Sequence, residues 1–166
     1  MNWTSDMAIP AHTHQALPSS LRLAAQPEDE LDSSMISDIL YGAARPLPGS
    51  GLSDSEILVC AEEEFPGRSI CVVRHWMILD VLLPDADLTQ VRGAALHPSI
   101  LYAQIIVGSQ LSVAASVVLS EYAASFEDYF FDTRKTLYIL AGRGARKHVS
   151  APALHALRRS HGLEAL

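Results

Sequence analysis

The chain has 166 residues, 49% of them hydrophobic and 19% charged, with a formal net charge of −7. That length suits one domain with a tail and buries a core without staples. No apolar run approaches the roughly 20 residues of a membrane span, the amino terminus lacks the basic and apolar regions of a secretory signal, and the overall acidity excludes a general nucleic-acid coat protein.

Residues 1–30 read as a disordered tail, interrupted by Pro10, Pro18 and Pro27 and without sustained apolar periodicity. His12 and His14 are paired as H-x-H, but no further ligand follows at metal-site spacing, so neither a metal nor a cofactor is expected. Residues 31–166 read as a single domain. Met35, Ile36, Ile39 and Leu40 make one helical face over Ser34–Tyr41, stopped by Gly42. Residues 45–51, Arg-Pro-Leu-Pro-Gly-Ser-Gly, read as a turn-rich linker. Ser53 and Glu56 fit a capping box, opening a helix to about Phe65 that buries Ile57, Ala61 and Phe65 and turns Glu62, Glu63 and Glu64 to water.

From Ser69 the period changes to two. Cys71, Val73, Met77, Leu79, Val81 and Leu83 share one parity, with His75 interrupting the row. Fifteen residues is long for one strand, so a bulge or bend is expected near Arg74-His75-Trp76. A short helix capped by Asp87 follows, with Leu88, Val91 and Ala95 inward. Ile100–Val107 and Leu111–Leu119 read as strands joined by a Gly108-Ser109 hairpin turn. Glu127–Phe131 and Thr136–Ala141 read as two more, joined by Asp132-Thr133-Arg134-Lys135, and a glycine-spaced basic loop, Gly142–Lys147, comes next. Ser150 caps a last helix with Pro152 in its first turn. The expected fold is α+β: an antiparallel sheet of four or five strands with helices packed mainly on one face.

Charge is segregated along the chain. Residues 1–132 carry five basic and eighteen acidic side chains, whereas residues 133–163 carry seven basic and no acidic ones. The seven are Arg134, Lys135, Arg143, Arg146, Lys147, Arg158 and Arg159, and they are the candidate anion- or partner-binding set. The competing reading is that they pair with the chain's own acids or are merely solvated. Gly142–Lys147 follows a strand and precedes a helix, as anion-binding loops do, yet it fits neither G-x-G-x-x-G nor a P-loop. His75 and His148 are the candidate bases for any catalysis. A Cys71–His75 dyad is disfavoured, because four strand residues span about 13 Å. The two cysteines read as buried thiols in a reducing cytoplasm.

The stretches LYGAARPLPGSGLSDSE, EFPGRSICVVRHW and FFDTRKTLYILAGRGARK together resemble a small family of uncharacterised proteobacterial domains, Pseudomonas-like ones among them, over about residues 34–157. The resemblance implies a bacterial cytoplasmic setting and brings no activity and no site residue. The favoured function is therefore a non-catalytic binding or regulatory module, with an acidic protein as its partner. Nucleic acid stays open as a partner without a motif to support it, no membrane is expected, and the oligomeric state is not readable. The alternative is a small enzyme on nucleic acid or a phosphorylated metabolite, using a histidine base and the basic loop.

Overall fold

The computed structural model describes residues 27–107 and 117–163. Most of the tail, with His12 and His14, and the Gly108-Ser109 turn lie outside the described residues. The first helix, α1, spans Pro27–Tyr41 and so takes in the last residues of the stretch read as tail. Its first turn carries Glu28, Asp29 and Glu30, acids that suit a helix N-terminus. The stretch read as a linker contains strand β1, Arg45–Pro48. β1 lies at a sheet edge, where Pro46 and Pro48 interrupt no interior ladder.

Helix α2 spans Asp54–Glu64, and its capping box forms as expected: Ser53 accepts from the Glu56 amide while Glu56 returns to the Ser53 amide at 2.8 Å. Ile57 and Ala61 are buried beneath it. Strand β2, Ser69–Leu82, leads to α3, Asp85–Gly93, which buries no residue and has no side-chain cap; Asp87 lies inside it rather than at its start. Strand β3 is Ser99–Val107 and β4 is Val118–Leu119. The stretch read as one strand at 127–131 is instead a hairpin, β5 (Ser125–Glu127) and β6 (Phe130–Asp132), turning at Asp128, whose φ is 52°. Strands β7, Thr136–Leu140, and β8, Arg143–Ser150, precede α4, Ala151–Ser160, which Ser150 caps at Ala153 with Pro152 in the first turn.

The class is α+β, but the sheet is neither purely antiparallel nor limited to five strands. Among the described residues eight strands form one sheet, in the order β1-β8-β2-β7-β6-β5, with β3 on the other edge of β2 and β4 beyond it. β2 pairs antiparallel with β3 and parallel with both β7 and β8. The chain returns through β4–β6 before entering β7, and that long return permits a parallel neighbour. Alternating apolar residues reveal strands without revealing their partners.

β7 and β8 share one edge of β2: Val73 faces Leu140, and Met77 faces Ala145. One strand thus takes an extra residue, accommodated where Gly142 adopts φ 70° beside His75 at φ 49°. The extra residue lies between Leu140 and Ala145 rather than in β2, whose register with β3 is unbroken across His75; the bend expected near Arg74-His75-Trp76 is present, and it changes which residues share a face. Cys71 and Val73 join Trp76 and Ile78 in one core, while Met77, Leu79 and Val81 lie in another. A single parity through the whole strand is therefore incorrect, because the left-handed residue at 75 reverses it.

The sheet curls around the first core, in which Phe131, Tyr138, Leu101 and Leu140 are packed. Residues 120–124 draw the curl together: Ala123 donates to the Ser99 carbonyl and Ala124 to the Asp132 carbonyl. The other face carries the helices, with α1 and α4 over Leu79, Val81 and Ile100, and α2 over Ile70, Val72 and Ile139.

Candidate binding site at the mouth of the curled sheet

Most of the basic block is held by the chain's own acids. Lys135 pairs with Glu121 at 2.6 Å, Arg146 with Asp80 at 2.7 Å, and Arg159 with Asp32 at 2.5 Å. Lys147, buried, donates to the Asp38 carbonyl and lies 3.5 Å from the Asp38 carboxylate. Arg134 donates to the Ala94 carbonyl at 2.7 Å. Arg158 is half-buried on α4, near enough to Tyr122 to act on it electrostatically. The segregation of charge along the sequence thus becomes pairing across the fold.

The supposed basic loop is strand. Arg143–Ser150 forms the ladder of β8, so its side chains alternate between faces. Arg146 points toward Asp80 and Lys147 toward α1, and the three cations Arg143, Arg146 and Lys147 make no common patch. Arg143 is exposed and shares the side of the strand with Lys147. His75 is exposed at the bend of β2, whereas Cys71 is buried. Cys60 is exposed on α2, contrary to the expectation of two buried thiols.

Alternation along β8 does put Arg146 and His148 on one face of the sheet. Asp80 faces His148 across the β2–β8 ladder and Ser99 across the β2–β3 ladder. Arg45 faces Arg146 across the β1–β8 ladder, and directly opposed residues share a face. The Asp80 carboxylate is held on both oxygens: Arg146 Nε donates at 2.7 Å and Nη2 at 2.9 Å, and Ser99 Oγ donates at 2.7 Å. The Arg146 guanidinium also lies 5.8 Å from the centre of the Phe126 ring, a cation–π distance. A cavity of about 200 Å³ opens beside it, walled by Ile78, His97, Ser99, Ala123, Phe126 and Arg146.

Electrostatics fix the protonation states. Burial pushes the Asp80 pKa up, but hydrogen bonds from Arg146 and Ser99 and the nearby charges of Arg146 and His148 outweigh it, so the net shift is down. The hydrogen bond to Asp80 raises the pKa of Arg146. Both groups are charged at neutral pH. A carboxylate saturated in this way is a poor proton acceptor, whereas a guanidinium held in place is a ready recognition element.

Asp80, Ser99, His97, Phe126 and Arg45 were not among the sequence candidates. Asp80 had a signal, since it is an acid between Leu79 and Val81 in an otherwise apolar run. Arg45 had none, because its place depends on a strand hidden in a proline-rich stretch.

A match to the family described as "Domain of unknown function (DUF6957)" spans residues 48–156, most of the chain. The protein belongs to this family. The DUF6957 span contains Asp80, Ser99, Phe126, Arg146 and His148, and it begins just after Arg45 and α1. No curated protein and no solved structure matches the chain. No helix among the described residues is long and apolar enough to cross a membrane.

Proposed function

We propose that this DUF6957 protein is a non-catalytic binding module that engages an acidic protein partner at the mouth of its curled sheet. One observation carries the reading: Arg45 and Arg146 are cross-strand neighbours, and among the described residues their one ion pair is that of Arg146 with Asp80. Arg45 is exposed and makes no ion pair among the described residues. An acidic protein offers isolated carboxylates, which suit a local excess of one positive charge on a chain of net charge −7. A nucleic acid presents charge at every step and meets general repulsion from such a chain. A bacterial cytoplasmic setting accompanies the proposal, on the resemblance set out above.

The test is a titration of the ¹⁵N-labelled protein with a peptide of spaced glutamates, its glutamine counterpart and a short single-stranded RNA. The glutamate peptide should shift the amides of Arg45, Ser99, Phe126 and Arg146, and Arg45→Glu should weaken it at least about tenfold, on the scale of a lost charge-assisted contact. Equal binding of the glutamine peptide, or shifts confined to another face, would refute the proposal.

An enzymatic reading has one observation in its favour. His148 lies opposite Asp80 in register, as a base lies beside its orienting acid. Asp80 is already committed to Arg146 and Ser99, which weakens that reading.

A further inference from the structure

We infer that the mouth recognises a single carboxylate group, and that Asp80 is the resident competitor for it. The inference rests on the binding proposed above and specifies the recognised unit.

The first argument is charge. Arg45 and Arg146 are cross-strand neighbours, and among the described residues the pair has one carboxylate partner, Asp80 on Arg146, which leaves the positive charge of Arg45 unmatched. A monoanion completes that balance. A phosphate monoester, close to a dianion at neutral pH, overshoots it and sits against Asp80.

The second argument is geometry. Asp80 already shows what the site accepts, a planar carboxylate engaged through Nε and Nη2 of one guanidinium with a serine hydroxyl completing the contact. That fork matches a carboxylate better than a point charge does. An incoming carboxylate either bridges Arg45 to the outer N–H groups of Arg146 or takes the position of Asp80. In both cases Asp80 competes for the same guanidinium.

The third argument is shape. The cavity of about 200 Å³ has Ile78, Ala123 and Phe126 in its wall. It suits a carboxylate carried on a short apolar stem, as in a glutamate side chain or a chain's terminal residue. These two sources share one chemistry, and the experiment separates them.

Wild type, Asp80→Asn, Ser99→Ala and Arg45→Ala are titrated by ¹⁵N NMR with acetyl-glutamate N-methylamide, with acetyl-alanyl-alanine bearing a free carboxylate, and with inorganic phosphate. The carboxylate probes should shift Ser99, Phe126 and Arg146, and the tighter of the two identifies the source. Asp80→Asn should tighten the better probe about tenfold, since it removes a charge-assisted competitor, while Arg45→Ala should weaken it. If Asp80→Asn does not fold, as its own amide spectrum reports, Ser99→Ala loosens Asp80 and should tighten binding by a smaller factor. Tighter binding of phosphate than of either carboxylate overturns the inference. So does unchanged affinity in Asp80→Asn, or in Ser99→Ala where it must stand in, while the spaced-glutamate peptide still binds; the proposed function then survives. Failure of the peptide and of both carboxylate probes overturns the two together.

Discussion

Gly144 lies directly against the indole of Trp76: a Cβ at that position would come within 2.2 Å of the ring. The indole cannot easily yield, because it is buried and its Nε1 donates to the Ala141 carbonyl at 3.2 Å. The second glycine of Gly-Arg-Gly therefore serves close packing between β8 and β2. Gly144→Ala should cost about 1–3 kcal/mol, the usual range for overpacking a core. Urea denaturation followed by tryptophan fluorescence measures it. A variant as stable as wild type would show that the strand shifts freely away from Trp76.

His75 is a backbone device before it is anything else. It holds φ 49° with an exposed side chain, at the point where the faces of β2 change over. A left-handed residue with a Cβ costs about 1–2 kcal/mol, and glycine's greater unfolded-state freedom returns part of that. His75→Gly should therefore gain about 0.5–1 kcal/mol on thermal or chemical denaturation. A clear loss of stability would mean that the imidazole makes an interaction the fold depends on.

Local signals were legible in the sequence, and long-range ones were not. The Ser53–Glu56 box, the Ser150 cap with Pro152 and the bend near His75 each depend on residues a few positions apart, and each is present. Strand partners depend on the whole chain, so the parallel pairing of β2 with β7 and β8 and the strand hidden in Arg45–Pro48 were missed. The same limit governed the site. The acid-free segment was visible as composition, but its neutralisation by Asp32, Asp38, Asp80 and Glu121 appears only once the chain is folded. Alternation along β8 then separates Arg146 from its neighbour Lys147, which a charge run cannot reveal.

Asp80 should give the fold a pH dependence of defined sign. Its folded-state pKa lies below the ordinary value, so its contribution is fully present above the unfolded carboxyl pKa of about 3.9 and is lost as pH falls through the lower folded value. The stability difference between wild type and Asp80→Asn should be flat from neutral pH to about pH 5 and should narrow below about pH 4. Urea midpoints across that range test it. A difference that widened on acidification would show that burial, which pushes the pKa up, prevails over the bonds from Arg146 and Ser99.

Lys147 ties α1 to the sheet, and the geometry says which of its two contacts matters. Its side chain is only 7% exposed, whereas that of Asp38 is 75% exposed and 3.5 Å away. An ion pair with so exposed a partner is worth about 0–1 kcal/mol. The Asp38 carbonyl, by contrast, belongs to the last turns of α1, and it accepts from Lys147 Nζ as well as from the Gly42 amide. A charged donor at a helix C-terminus also complements the helix dipole. Asp38→Asn should therefore change stability by less than about 0.5 kcal/mol. Lys147→Met keeps the packed stem and loses the charged donor, and should cost about 1–3 kcal/mol. Hydrogen exchange should show the loss first in the amides of α1. Equal effects of the two substitutions would move the weight of the contact onto the exposed carboxylate.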